Sequence, residues 1–203
     1  MTYTAPIQTS SNVATGPSGR AMAEPMSAEL LEHMQAHLNM ERQSAAAYFA
    51  TAIWFAEREL VGFANHLRDE GNQEQQHAAQ FADYLISRGQ TVVLDTIEPP
   101  CQQWSHCEAV VSDVFRMEAD VTSSVLQLYK TAERDNDMRT TVFLDPIVEG
   151  QRLSEHEAAY LLGRVKFADN QPAALLVIDA ELREKAAACL LYTSPSPRDS
   201  IAS

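Results

Sequence analysis

Read at helical spacing, four stretches of this chain form stripes in which acid or imidazole appears among apolar residues. Positions 63, 67, 70, 74, 77, 81 and 84 hold Phe63, Leu67, Glu70, Glu74, His77, Phe81 and Tyr84, apolar at both ends and polar between. Met34, Leu38, Glu41, Ala45, Tyr48, Ala52 and Phe55 form a seam broken by one Glu, and so do Val111, Val114, Glu118, Val121, Val125 and Leu128. The fourth stripe, Glu149, Leu153, His156 and Tyr160, is less clean. A repeat of three and four residues is the mark of an amphipathic helix.

The periodicity predicts helices from about Ala28 to Glu57, Leu60 to Arg88, Cys107 to Arg134 and Thr140 to Arg164. Ser27 has the oxygen an N-cap needs, Glu29 suits the first turn, and Gly89 suits a helix stop. Pro146 in the first turns of the fourth helix predicts a kinked start, and Pro172 can open a short fifth helix ending near Lys185. Between the second and third helices, Thr91–Leu94 leans toward strand and Pro99-Pro100 forbids helix, so residues 90–106 read as one long connection. The expected fold is all-α: an antiparallel four-helix bundle with a long crossover between helices two and three, plus a short C-terminal fifth helix. Residues 1–26, rich in Thr, Ser, Gly and Pro, read as a flexible N-terminal arm. Residues 27–188 read as the domain. Residues 189–203 read as an artefactual or disordered tail, because Leu190–Ser200 breaks the helical pattern.

Composition narrows the partners. At 203 residues with 45% hydrophobic content, the chain has enough material for one domain with a core. A net charge of -13 argues against nucleic acid and anionic membrane and is compatible with a cation. No apolar run approaches the about 18 residues of a membrane span, and the N-terminus shows no secretory pattern. Three cysteines without a CxxC pair fit a reducing cytoplasm, the expected location.

A carboxylate on a core stripe has to be paired or bound to metal, because burying it alone costs several kcal/mol or more. In antiparallel helices, residues equidistant from a turn lie at one level. Glu41 lies 17 residues before Arg58 and Glu74 lies 16 after it; Glu118 and His156 each lie 19 residues from Asp137. Glu74 and His77 form an ExxH pair that puts both side chains on one helix face. Carboxylates with one imidazole and no thiolate suit iron or manganese. Three carboxylates over-neutralise one dication, so two ions bridged by Glu74 fit better.

At these residues the chain resembles a ferritin. The resemblance rests on Asn39-Met40-Glu41 with Tyr48, on Glu74-xx-His77, on Met117-Glu118 and on the long crossover. Residues 51–60, 140–146 and 161–167 look particularly like cyanobacterial ferritins. The resemblance implies a cage of 24 subunits that oxidises Fe(II) with O2 and stores ferric mineral. It implies that Glu41, Glu74 and His77 hold the first iron and that Glu74 and Glu118 hold the second. Tyr48 would stand beside them, Glu70 would be an auxiliary or transfer carboxylate, Asp145 would line an entry channel, and Glu149 would relay iron inward. Gln73 stands where related chains often carry a carboxylate, and His156 where they carry Gln or an acid. A second ExxH is lacking, against a bacterioferritin site, and Met40 reads as a core or interface residue, so no haem is expected. His33, His37, His66 and His106 lack ligand spacing and are expected at the surface. The alternative is a di-iron oxidoreductase acting on peroxide or an organic substrate without mineral storage.

Overall fold

The computed structural model describes residues 14–193, with side chains as far as Lys185. It is the expected all-α bundle: α1 (Ala28–Ala56), α2 (Val61–Ser87), α3 (Cys107–Arg134), α4 (Met138–Phe167) and α5 (Pro172–Thr193). The helices of each hairpin, α1 with α2 and α3 with α4, pack along each other. The hairpins meet chiefly through α1 and α3, and α5 lies on α2. No Cα atoms of α2 and α4 approach within 8 Å, so a cleft runs between these two helices.

Local chemistry sets the ends. Ser27 Oγ accepts from Leu30 N at the start of α1, and Gly89 takes the positive φ of 75° that closes α2. His106 caps α3 through its ring Nδ1, 3.2 Å from Ala109 N. Asp137 caps α4 and also binds Arg88, tying the end of α2 to the turn between α3 and α4.

The crossover is held by a ladder of amides on α1. Gln35, Asn39 and Gln43, one turn apart, each donate to a crossover carbonyl and accept from a crossover N–H. Gln35 reaches Thr91 O at 2.6 Å and Val93 N at 3.0 Å. Asn39 reaches Val93 O at 3.1 Å and Asp95 N at 2.9 Å. Gln43 binds Glu98 O at 2.9 Å and its N at 2.8 Å. The strand-leaning Thr91–Leu94 therefore stays irregular, because side chains rather than a second strand take its backbone bonds.

Three other expectations change. Within the segment read as a flexible arm, Ala14–Thr15 and Ala21–Met22 form a small antiparallel hairpin. It is seated so closely on the end of α2 that a Cβ on Gly16 would meet Gly89 O at 2.0 Å. Residues 1–13 of that arm lie outside the described residues. Helix α4 begins at Met138, earlier than expected, so Pro146 lies in its third turn with helix on both sides. Helix α5 runs on to Thr193, into the stretch read as tail, of which residues 194–203 lie outside the described residues.

The core is in two parts. One, near the α1–α2 turn, holds Phe55, Phe63, Val110, Val111 and Val165. The other, toward the opposite end, holds Leu30, Met34, Phe81, Leu85, Leu128 and Leu144. Between them lies a buried polar belt.

Candidate metal centre

The belt draws on four helices. Glu41 comes from α1, Glu74 and His77 from α2, Glu118 from α3 and Gln151 from α4, and all but His77 are buried. Helices α1 and α2 come close enough here because Gly71 has no side chain: a Cβ would sit 3.0 Å from Tyr48 Cβ. Glu41, Glu74 and His77 each offer a ligand atom within 4.8 Å of the others. His77 Nδ1 lies 3.3 Å from Glu74 Oε2 and 3.9 Å from Glu41 Oε2.

Glu118 faces this cluster without joining it. Tyr48 Oη donates to its Oε1. Gln151 Nε2 donates to its Oε2 at 2.7 Å and to its backbone carbonyl at 3.2 Å. Both carboxylate oxygens are thus aimed and held by neutral donors from α1 and α4.

Electrostatically the belt is unfinished. Among the described residues no Lys or Arg pairs with Glu41, Glu74 or Glu118. Burial, the largest influence on each, raises the carboxyls of Glu41 and Glu118 and pushes Glu74 up to about 7. Glu70, one turn before Glu74, is also pushed up to about 7, by burial first and then by Glu157, Glu118 and Glu74. The hydrogen bond to Glu74 raises His77. Glu41 Oε2 is buried with no hydrogen-bond partner. An orphaned carboxylate oxygen facing a second carboxylate and an imidazole is the donor set a hard or borderline dication takes. The residues present therefore fit a metal ion.

A cleft of about 1130 Å³ between α2 and α4 leads to the cluster, lined by His66, Asp69, Glu70, Gln73 and Glu157 beside Glu41 and His77. Glu70 stands in its wall 3.6 Å from His66 Nδ1. Gln73 is exposed there.

The fourth stripe is corrected. Glu149, Leu153, His156 and Tyr160 form the outward face of α4, and His156 is exposed, away from the cluster. The buried face carries Thr140, Thr141, Leu144, Gln151, Ala158 and Val165. Gln151 and His156 are five residues apart, about 140° around a helix at 3.6 residues per turn. Matched depth therefore picked a residue on the wrong side. Glu149 is exposed and held by Arg152 at 2.6 and 3.0 Å, and exposed Asp145 accepts from Tyr129 Oη at 2.9 Å; neither reaches the cluster. The histidines expected at the surface also divide. His106 is exposed, His33 and His66 are half-buried, and His37 is fully buried beside Glu41. Its one signal in the sequence was its place one turn before Glu41.

Residues 31–168 match the family model of the ferritin-like domain. A bacterial non-heme ferritin of Staphylococcus epidermidis is 32% identical over 126 residues, 62% of this chain and 76% of that protein. One from Escherichia coli is 25% identical over 154 residues, 76% of this chain and 93% of that protein. Among solved structures, an open-pore ferritin from the hyperthermophilic archaeon Archaeoglobus fulgidus superposes with a TM-score of 0.76 at 29% identity, covering 78% of this chain and 98% of that one. Because the match runs from the first turn of α1 past the end of α4 and so takes in the whole polar belt, this chain belongs to the ferritin family.

Proposed function

We propose that this protein stores iron and is a ferroxidase, oxidising Fe(II) with O2 at a two-iron centre within each subunit. The observation that carries the reading is the set of three buried carboxylates, Glu41, Glu74 and Glu118, that no Lys or Arg neutralises. Fe(II) is the substrate. Glu41, Glu74 and His77 take the first ion, and binding displaces the protons that burial favours on the two carboxyls. Glu118 takes the second, with Glu74 between the two. Each ferrous ion gives one electron, so a pair delivers the two electrons that reduce O2 to the peroxide level. Tyr48 and Gln151 keep Glu118 aimed while the charge at the centre changes. Glu70, in the wall of the cleft, passes ions to or from the centre.

The cage of 24 subunits, the cytoplasmic location and the cyanobacterial subtype belong to the same reading. Family membership supports the cage, and residues 51–60, 140–146 and 161–167 support the subtype. No described helix is long and apolar enough to cross a membrane. Asp145 and Glu149 sit exposed on α4, where an entry route between subunits needs acids; an arriving cation has to displace Arg152 from Glu149. In the cleft wall the acids Glu41, Asp69, Glu70 and Glu157 outnumber the cations Arg68 and Lys185, which supports passage of cations and so storage over a di-iron oxidoreductase.

Oxygen uptake on adding Fe(II) tests the centre. Glu74→Ala is expected to lose the fast uptake while keeping its helical content, and uptake at the wild-type rate would remove the centre. Sedimentation as a dimer rather than a cage would turn the reading toward the oxidoreductase.

A further inference from the structure

His37 is completely buried, yet a surface or solvent role is all its spacing suggested. Its ring stacks obliquely on Phe81, with centroids 4.5 Å apart. Nδ1 lies 2.8 Å from Ser124 Oγ on α3, and Nε2 lies 2.9 Å from Glu41 Oε1. The second approach is too oblique for a hydrogen bond, which leaves His37 Nε2 buried without a partner, and the other oxygen of the same carboxylate, Glu41 Oε2, is likewise buried without one. Buried polar groups are seldom left unsatisfied, and such pairs call for an explanation.

One event satisfies both. Glu41 Oε1 faces His37 and Oε2 faces His77 Nδ1, 3.9 Å away, so the two oxygens of one carboxylate look in different directions. Glu41 Oε2, Glu74 and His77 would hold a cation, and a small turn of the Glu41 carboxylate on binding would bring Oε1 onto the line of an Nε2–H. If the Ser124 hydroxyl donates to Nδ1, the imidazole is neutral with its hydrogen on Nε2, the tautomer this contact needs. We propose that His37, with its ring held by Ser124, is a positioning residue that pins Glu41 Oε1 and so presents Oε2 to the first metal ion. Partners of this kind, one bond behind the ligands, set ligand orientation and affinity. The inference rests on the metal-binding reading of the cluster above.

Anaerobic titration with Co(II), followed by calorimetry and by the visible absorption of the bound ion, tests it on the assembled protein. His37→Phe keeps a ring against Phe81 and removes the donor, whereas His37→Gln keeps an N–H within reach of Glu41. His37→Phe is expected to bind the first Co(II) about 10–100-fold more weakly, with an altered absorption envelope. His37→Gln is expected to recover most of the affinity and the wild-type envelope, and Ser124→Ala to fall between them. In Fe(II) oxidation the loss in His37→Phe falls mainly on KM. Wild-type affinity and absorption in His37→Phe would overturn the proposal, as would a His37→Gln protein no better than His37→Phe. Absence of Co(II) binding by the wild type itself would instead overturn the metal-binding reading, and this inference with it.

Discussion

Asp179 on α5 accepts a hydrogen bond from the backbone N–H of Phe63, 3.1 Å away, and so caps α2 from another helix. Leu60 stands at the cap position of α2 and has no side-chain oxygen to offer. The cap is fixed by contact and charge: a Cβ on Gly62 would meet Asp179 O at 1.9 Å, and Arg183 holds Asp179 Oδ2 at 2.7 Å. Asp179→Ala is expected to cost about 1–2 kcal/mol in urea unfolding, the size of a lost N-cap. Gly62→Ala must push α5 off α2, and faster amide exchange in α5 is the readout. Unchanged stability in both variants would show that α5 is not a cap for α2.

At the opposite end, Arg88 is the buried link between the hairpins. It holds Asp137 at 2.8 and 3.0 Å, Tyr84 Oη at 2.6 Å and Thr140 Oγ1 at 2.9 Å. Burial opposes the charge on Asp137, yet the bond from Arg88 keeps its carboxyl below the ordinary value. Removing one partner strands the other, so Asp137→Ala is expected to cost about 3–5 kcal/mol. Arg88→Met with Asp137→Leu is expected to recover part of that loss, because neither charge is then buried alone. Chemical denaturation of the two variants checks the order.

How far the sequence reached is clearest by comparing seams. Glu41, Glu74 and Glu118 were legible because a charged residue on an apolar stripe is conspicuous, and depth counted from Arg58 brought Glu41 opposite Glu74. Gln151 was not legible, because an uncharged amide does not stand out on a face that also buries Thr140 and Thr141. The outward face of α4 instead carries Leu153 and Tyr160, 50% and 62% exposed, and apolar residues weigh the same in a periodicity whether or not they are buried. His37 was passed over because a lone histidine was taken for a surface residue, although it stands one turn before Glu41 and is fully buried. The hairpin at Ala14–Met22 eluded notice because its strands are two residues long and its turn is rich in Gly and Pro.

Glu118 offers a way to separate aim from charge. Its Oε1 depends on Tyr48 Oη and its Oε2 on Gln151 Nε2. Tyr48→Phe and Gln151→Leu each remove one donor and leave the carboxylate in place. Each is expected to slow Fe(II) oxidation several-fold and to weaken the second metal ion more than the first, as read by anaerobic titration. The pair together is expected to lose more than the product of the single losses, because either donor alone still fixes the plane of the carboxylate. Multiplicative losses would mean that the two act independently.

The unneutralised belt also makes stability depend on pH in a direction opposite to that of a paired acid. Burial raises Glu74 and Glu70 from 4.5 to about 7, so between these values the metal-free fold holds protons that the unfolded chain has released. Stability therefore falls as pH rises through that window: the contribution is fully present below 4.5 and is gone above about 7. At about 1.4 kcal/mol per pH unit, Glu74 alone costs on the order of 3 kcal/mol once ionised. Thermal unfolding of the metal-free protein is expected to show a lower midpoint near neutral pH than in mild acid, and Glu74→Gln is expected to flatten the difference. A bound dication reverses the sign, because it needs the ionised carboxylates, so the midpoint gained on adding Co(II) should grow with pH. Burial lowers the His37 imidazole from 6.5 to about 4, which pulls the other way between those values, so the difference between wild type and Glu74→Gln is what tests the belt. An identical pH dependence in the two proteins would mean that Glu74 is already ionised in the metal-free fold.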